Sequence, residues 1–555
     1  MITSIAIENF KAVRDRVAFE LKPITLLFGP NSAGKSTVLH ALHFAREVLE
    51  RHNLDPDQTL VGGKFIDLGG FRTFVHGHDL SRSIILRFDF DLDRKQLYPA
   101  FESLDTLSDW FTGPVDSLYS SLKSAAVTIE VAYSAFHDRI FVKYYGVELN
   151  GRPFASICHD PDRRVTALTD LDREHPVLLR PRHWGPVDLA PDELEVQKDI
   201  YGDLEYPVLA QCLDAVEPYL PFTGDGSIPL LGQEDALPSF GGVLRLATDV
   251  DAAVSESEEP GTGLKAYALL DDLMLGLTQM VVGPGRALRD VLGELCYLGP
   301  LRETLPRNFV PVRYPDPSRW ANGFAAWDLV FTRPELAEEA SWWLSNPEGL
   351  ALGYAFRVRQ HKELPLDSRL MVLLQSDRAF DELEDVRQQL VELPTKTSLT
   401  LVDETTGVEV VPQDVGVGIS QVIPVLVLAL HDEVAFAAVE QPELHVHPAV
   451  QVRLGDLFIR ELTKDAPRQF LLETHSEHLL LRLLRRIRET HEGELPPGHP
   501  GLRPEQVAVV YVEPGESGQG EVGPVRLRHL RIDETGEFMD RWPRGFFEER
   551  AEELF

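Results

Sequence analysis

Residues 29–36 read GPNSAGKS and match the pattern GxxxxGK[ST], in which backbone N–H groups surround nucleotide phosphates. An apolar stretch at 24–28 comes directly before this loop, and apolar residues at helical spacing follow it from Lys35 to about Arg51. Such an arrangement attracts anions, because the loop N–H groups and the helix dipole act on the same place. The predicted phosphate-binding residues are Gly29, Asn31, Ser32, Ala33, Gly34, Lys35, Ser36 and Thr37.

Two side chains of this loop carry predicted chemical roles. In such loops the lysine reaches the β- and γ-phosphates, and the hydroxyl group that follows it binds Mg²⁺. We therefore expect Lys35 to contact the phosphates of ATP and Ser36 to be a ligand of Mg²⁺. A chance glycine-rich turn is the alternative, and the flanking strand and helix count against it.

A second apolar stretch, Val434 to Val439, ends in the carboxylate of Glu440. A carboxylate at the end of a buried parallel strand beside a phosphate-binding loop holds Mg²⁺, so Glu440 is the second predicted metal ligand. Gln441, Pro442 and Glu443 follow it in the sequence.

A second glycine-containing segment, GVGISQ at 416–421, precedes an apolar helix that we expect from Gln421 to His431. Ser420 suits the N-cap position, because a serine hydroxyl accepts a hydrogen bond from a free backbone N–H. The segment predicts a second anion-binding helix start, with Gly418, Ser420 and Gln421 as nucleotide contacts. A serine-capped core helix without a ligand is the alternative.

A histidine follows a third apolar stretch, 470–472, in the sequence ETHS at 473–476. A histidine just past a strand end is placed to contact a γ-phosphate, which makes His475 a candidate catalytic residue; a structural histidine is the alternative. His475, Glu477 and His478 do not match HExxH, so we expect no zinc site.

The flanking regions predict an α/β fold. Residues 84–93 alternate between apolar and charged side chains, which is typical of a half-buried antiparallel strand, and strands at 127–131 and 140–147 are expected in the same sheet. The stretch from about 156 to 293 is rich in Pro, Asp and Glu and predicts a mainly helical insertion. A strand near 297–302 returns to the core, which resumes with a strand at 399–403.

Charge and composition narrow the function classes. The 555 residues carry a formal net charge of −34, so we expect nucleic acid to bind only through a local patch or a partner protein. The three cysteines form no CxxC pair, and no signal peptide is visible. The longest apolar run, about 422–430, is too short to span a membrane. These features predict a cytoplasmic protein without a membrane partner.

The order of these parts resembles the heads of ABC-type ATPases, a group that includes SMC, RecF-like and overcoming-lysogenization-defect (OLD) proteins. The chain is most similar to a bacterial set of AAA-type members of this class, many of them found in anti-phage defence loci. The resemblance covers about 1–95 and 396–555. It rests on IAIENFK at 5–11, YLGPLR at 297–302, GVGISQ at 416–421, PELHVHP at 442–448, THSE at 474–477 and WPRGFF at 542–547.

The resemblance implies an ABC-type P-loop ATPase head, with a mixed central sheet, an antiparallel β subdomain and a large, mainly helical insertion. The implied domains are an N-terminal ATPase lobe (1–155), the insertion (156–395), a C-terminal ATPase lobe (396–490) and a small C-terminal domain (491–555).

The resemblance also implies a mechanism in which two heads enclose two ATP molecules, as a homodimer or a larger even-numbered assembly. Ser420 of one subunit would contact the γ-phosphate that Lys35 of the other subunit binds. Glu440 would hold Mg²⁺, and His475 would sense the γ-phosphate.

Two departures from this pattern affect catalysis. The usual pattern has a glutamate as general base after the metal-binding acid, whereas this chain has Gln441, which cannot accept a proton. Glu443 is the alternative base. The region Lys64–His78 also lacks the glutamine that usually contacts Mg²⁺.

These features predict an ATP-gated switch that hydrolyses ATP slowly and controls a separately encoded effector, a nuclease, in anti-phage defence. Two alternatives stay open. One is a DNA-repair ATPase of the RecF or SMC kind. The other is an OLD-like ATPase with its own nuclease domain, although the residues after His475 contain Glu513 but no DxD cluster of metal-binding carboxylates.

Overall fold

The computed structural model describes residues 1–543 except Ser32, 93–121, 179–208, 224–225, 250–261, Asn308, 369–370, 372–389, 394, 465–467 and 517–521. Ser32 of the phosphate-binding loop therefore lies outside the described residues. The end of the strand expected at 84–93 and most of the WPRGFF segment also lie outside them.

Strands and helices are distributed along the whole chain. The strands are β1 (Ile2–Glu8), β2 (Val17–Glu20), β3 (Ile24–Phe28), β4 (Gln58–Thr59), β5 (Gly63–Asp67), β6 (Ile84–Asp91), β7 (Ser124–Ser134), β8 (Arg139–Leu149), β9 (Arg152–Asp160), β10 (Val165–Thr169), β11 (Ile228–Leu231), β12 (Arg245–Leu246), β13 (Leu295–Leu298), β14 (Tyr354–Lys362), β15 (Thr395–Asp403), β16 (Glu409–Val410), β17 (Phe436–Glu440), β18 (Gln469–Glu473), β19 (Val507–Glu516) and β20 (Val522–His529). The α-helices are α1 (Lys35–Arg51), α2 (Phe71–Phe74), α3 (Leu209–Val216), α4 (Thr262–Leu277), α5 (Gly283–Gly293), α6 (Phe324–Thr332), α7 (Pro334–Ser345), α8 (Val417–Leu430), α9 (Pro448–Glu461) and α10 (Glu477–Glu492).

A six-stranded sheet with the order β13-β17-β18-β3-β19-β20 carries most of the predicted site. Neighbouring strands are parallel except β19 and β20, so the sheet is mixed, as expected. β18 lies between β3 and β17, and its register pairs Glu473 with Glu440 on one side and with Leu27 on the other. The carboxyl ends of these three strands therefore meet where the phosphate-binding loop begins.

Two hydrophobic cores lie on the two faces of this central sheet. Because side chains alternate between the faces of a strand, Leu27 belongs to one core, while Leu26 and Phe28 belong to the other. The first core also contains α1, α4, α5 and the antiparallel sheet described next, and the second contains α6 to α10. This cover on both faces explains why every residue of β3 is buried.

A nine-stranded antiparallel sheet has the order β12-β11-β10-β9-β8-β7-β6-β1-β2. The alternation predicted from residue 84 onward is confirmed over β6, where Arg87 on one face pairs with Asp89 and Glu148. The opposite face contributes the buried side chains Ile84, Leu86, Phe88 and Phe90.

The prediction of a mainly helical insertion from residue 156 needs correction in its first part. β9 and β10 continue the antiparallel sheet, and β11 and β12 extend it further. Four consecutive residues of β9, 154–157, are buried, so the sequence there shows no alternation that would have indicated a strand. Apart from α3, the described α-helices of this segment are α4 and α5, which a π-helical turn (Thr278–Val282) joins.

Two further expectations were wrong in detail. α8 begins at Val417, its N-cap is Gly416, and Ser420 lies inside the first turn, where its hydroxyl donates to the carbonyl oxygen of Val417 at 2.9 Å. The strand expected at 399–403 is part of β15, which pairs with β14 and β16 in a separate three-stranded sheet. None of the described helices is long and apolar enough to cross a membrane.

Candidate functional site

The phosphate-binding loop joins β3 to α1. Lys35 Nζ donates to the carbonyl oxygens of Gly29 and Pro30, each at 3.0 Å. Gly34 starts the helix with a φ of 98°, a conformation that favours glycine. A Cβ atom on Gly29 would lie 2.5 Å from the carbonyl oxygen of Val512 on β19, so the strand packing also requires glycine there. The remaining described residues of the loop are the exposed Asn31 and the buried Ala33 and Thr37.

Glu473 is the carboxylate that contacts this loop, and the sequence analysis did not select it. Ser36 Oγ donates to Glu473 Oε2 at 3.0 Å, and Lys35 Nζ lies 3.9 Å from Glu473 Oε1. Glu473 reaches the loop because β18, rather than β17, is the neighbour of β3. The sequence signal was present, since FLLE at 470–473 ends an apolar strand in the same way as AAVE at 437–440.

Glu440 lies one strand further from the loop and is bonded to a tyrosine of β13. The hydroxyl of Tyr297 donates to Glu440 Oε1 at 2.7 Å. Burial raises the pKa of Glu440 to about 7, and the nearby charge of Glu473 acts in the same direction. Burial also lowers the pKa of Lys35, while the charges of the surrounding glutamates oppose that shift. The site therefore holds several buried carboxylates around one lysine.

Gln441 and Glu443 follow β17 and hydrogen-bond to residues at the end of β18 and just after it. Gln441 has a φ of 45°, which is strained for a residue with a side chain, and its backbone N–H donates to the carbonyl oxygen of Glu473 at 2.7 Å. Glu443 accepts hydrogen bonds from the hydroxyl of Thr474 and from the backbone N–H of His475, each at 2.7 Å. Glu443 thus holds the histidine-containing loop in place through both of its oxygens.

Two side chains around these glutamates have buried nitrogen atoms without a hydrogen-bond partner among the described residues. One is His475, whose Nε2 is unpartnered and whose pKa is lowered by burial and by the charge of Lys35. The other is Arg302, with Nε and Nη1 unpartnered; the sequence analysis did not assign it a role. Unsatisfied buried N–H groups are costly, so donors of this kind near a phosphate-binding loop fit an anionic ligand.

The candidate nucleotide contacts on α8 make hydrogen bonds of other kinds. The hydroxyl of Ser420 bonds within its own helix, and Gln421 Nε2 donates to the carbonyl oxygen of Arg302 at 2.8 Å. A Cβ atom on Gly418 would lie 2.7 Å from the carbonyl oxygen of His445, so the first turn of α8 packs closely on the segment that follows Glu443. Within the described residues, neither Ser420 nor Gln421 hydrogen-bonds to the phosphate-binding loop.

The donor groups present fit Mg²⁺. This ion takes oxygen ligands and usually binds through one or two carboxylates together with substrate phosphates and water. Ser36 Oγ supplies a hydroxyl oxygen, and Glu473 and Glu440 supply carboxylate oxygens from adjacent strand ends. Two carboxylates are therefore candidates for a role that the sequence analysis gave to Glu440 alone.

The fold and this site together define the chain as an ABC-type P-loop ATPase head. Its phosphate-binding loop follows a central parallel strand, its acidic strand ends lie on the next two strands, and a large antiparallel sheet packs against the same core.

Comparison with known families supports this class. A family model described as "AAA ATPase domain" matches residues 1–146, and a second, described as "AAA domain, putative AbiEii toxin, Type IV TA system", matches residues 327–482. The chain is therefore similar to AAA-type ATPase domains over these two ranges. No curated protein matches the sequence.

Solved structures with similarity to the chain include SMC heads. An SMC head bound to the C-winged helix domain of ScpA has a TM-score of 0.36 and 10% identity, over 96% of this chain and 98% of that chain. The SMC head domain from Thermotoga maritima has a TM-score of 0.34 and 9% identity, over 96% and 99%.

The raised pKa of Glu440 predicts a pH dependence of stability. Because the folded protein holds this proton more tightly than the unfolded chain, the stabilisation is complete below the ordinary value of 4.5 and is lost as the pH rises through about 7. In EDTA and without nucleotide, the melting temperature of the wild type should fall more between about pH 5 and pH 8 than that of Glu440→Gln, which does not titrate. Parallel curves for the two proteins would contradict the raised pKa.

Proposed function

We propose that this chain is an ATP-dependent switch that binds ATP with Mg²⁺, dimerises around the nucleotide and hydrolyses it slowly in the cytoplasm. The observation that supports this proposal is that the candidate phosphate-binding, metal-binding and sensing residues lie together at one edge of the central sheet. The converging residues are Lys35, Ser36, Glu440, Gln441, Glu443, Glu473 and His475.

Different residues of the site are proposed to bind the phosphates, the metal ion and the γ-phosphate. The N–H groups of the loop and Lys35 would hold the phosphates, and Ser36 with Glu473 or Glu440 would hold Mg²⁺. When bound, Mg²⁺ neutralises charge on the phosphates. His475 contacts the γ-phosphate through its unpartnered Nε2, and its lowered pKa keeps the ring neutral near pH 7.

Slow hydrolysis follows from the residues available to activate water. Gln441 can orient a water molecule but cannot take its proton. Glu443 is a carboxylate, yet both of its oxygens already accept hydrogen bonds from the loop after β18. Positioning and charge stabilisation remain, and these supply most of phosphoryl-transfer catalysis. We therefore infer a turnover below about 1 s⁻¹, at the low end of the range for enzymes.

We propose dimerisation because the first turn of α8 is a second candidate anion-binding site. Within the described residues, its candidate contacts do not hydrogen-bond to the phosphate-binding loop of the same chain. The first N–H groups of a helix have no partner within the helix and attract anions. Val417, the first residue of α8, is 61% exposed, so this turn reaches the surface, where a second copy can meet it. We propose that Gly418 and Ser420 contact the γ-phosphate that Lys35 of the second copy binds.

A switch of this kind acts through another protein, and we propose a separately encoded effector, a nuclease, in anti-phage defence. The support for this context is the description of the matched family as a putative AbiEii toxin of a Type IV TA system. Co-purification of the chain with the products of neighbouring reading frames, with and without ATP, tests this part of the proposal.

ATP with Mg²⁺ should raise the melting temperature, because a ligand that binds only the folded state stabilises it, by about 2.7 kcal/mol at a hundredfold excess over Kd. Lys35→Ala should abolish the shift, which thermal denaturation measures. Lys143→Ala, which removes an exposed lysine paired with Glu130 on the antiparallel sheet, is the control and should keep it. Retention of the full shift in Lys35→Ala would rule out the assigned loop.

Gln441→Glu should speed ATP hydrolysis, because it supplies the missing base, and a general base contributes about 10² to 10⁴ in rate. Steady-state phosphate release measures the effect, and the lifetime of the ATP-bound dimer should shorten in parallel. Glu443→Gln tests the alternative. If Gln441→Glu leaves the rate unchanged while Glu443→Gln stops hydrolysis, Glu443 is the base and the proposed slow switch is wrong.

A further inference from the structure

The segment YLGPLR at 297–302 contacts both the end of β17, where Glu440 lies, and α8. The proposed function assigns this segment no role. β13 pairs in parallel with β17, with Leu298 opposite Val439. This register places Tyr297 where its hydroxyl bonds to Glu440, and the chain then leads through Gly299 to Arg302.

Arg302 holds the backbone at the end of β17. Its Nη2 donates to the carbonyl oxygens of Glu440 at 2.7 Å and of Gln441 at 3.2 Å, and the side chain is only 4% exposed. The second of these carbonyls belongs to the residue with the strained φ of 45°. A change in the conformation of Gln441 must therefore move Arg302 or break its hydrogen bond.

The same residue is also fixed to α8. Gln421 Nε2 donates to the carbonyl oxygen of Arg302, and Gln421 is buried next to Ser420 in the first turns of the helix. Gly323, which has a φ of 84°, allows its segment to pack closely on α8 and on Arg302. A Cβ atom there would lie 3.0 Å from Pro424 of α8 and 3.5 Å from Cβ of Arg302. Displacement of Arg302 therefore acts on the helix start.

Arg302 also has unpartnered hydrogen-bond donors that a second conformation of its side chain would satisfy. Its Nε and Nη1 are buried and have no partner among the described residues, and each unsatisfied donor has a free-energy cost. Burial lowers the pKa of Arg302 to about 10, and the charges of Glu443 and Glu440 oppose that shift. A shift of the guanidinium toward an acceptor in this acidic cluster would satisfy these donors.

We propose that Arg302 is a positioning residue that couples the two ATP sites of the dimer. It contacts the acidic loop of the site whose phosphates its own subunit binds, and through Gln421 it contacts the helix that serves the site of the partner subunit. This inference rests on the proposed function. Binding of ATP at Lys35 makes the first turns of α8 in the same chain more ordered. Because linkage is reciprocal, a contact that orders α8 also strengthens the binding of ATP at Lys35.

Hydrogen exchange of the full chain tests this coupling in a Ser420→Arg background, which blocks contact between α8 and a partner nucleotide. MgATP should slow amide exchange in the loop at 29–37, and also in the segment 417–424 by roughly tenfold. Adding Gln421→Met removes the donor to Arg302 at nearly constant size and should abolish the effect on 417–424 while keeping that on 29–37. Gln279→Met, at another buried glutamine, is the matched control and should keep both.

Protection at 29–37 without protection at 417–424 in the Ser420→Arg chain would overturn the coupling while leaving ATP binding intact. Persistence of the effect on 417–424 after Gln421→Met would also overturn it. Absence of protection at 29–37 would overturn the proposed function and the coupling with it. Protection at 29–37 in every variant shows that the variants fold.

Discussion

The arrangement of the site depends on the position of β18 between β3 and β17. Parallel pairing on both sides of β18 places Glu473 beside the phosphate-binding loop and Glu440 one strand further away. Because β18 continues into His475 and β17 into Gln441, the same pairing brings the residues proposed to sense the γ-phosphate and to position water to one edge. Residues more than 400 positions apart in sequence, such as Ser36 and Glu473, thus form a direct hydrogen bond.

Burial gives this edge its chemical character. Glu440, Glu443 and Glu473 all have raised pKa values, chiefly because burial penalises their charged forms. A cation that neutralises them removes this penalty, which is why the site suits Mg²⁺. The hydrogen bonds of Arg302 link this acidic site to α8. The backbone that carries Glu440 and Glu443 is thereby connected to the helix that is proposed to contact the partner subunit.

The sequence predicted the local features of the fold and site well and the non-local ones poorly. β3, α1 and the start of β6 were confirmed because each shows its own apolar pattern and, at Gly34, its own turn chemistry. Glu473 and Arg302 were missed because their roles depend on which strands are neighbours, and spacing does not encode strand order. β9 was missed because a strand buried on both faces shows no alternation, and the start of α8 was placed late because a glycine rather than a serine caps it.

The central claim is that one nucleotide is held by Lys35 of one subunit and Ser420 of the other, and mixed dimers test it most directly. Lys35→Ala and Ser420→Arg subunits are each inactive in hydrolysis if both residues are required. A mixed dimer keeps one intact composite site, so an equimolar mixture should recover roughly a quarter of the wild-type ATPase activity, by random pairing across a symmetric interface. Folded variants that recover no activity at any mixing ratio would contradict the shared site.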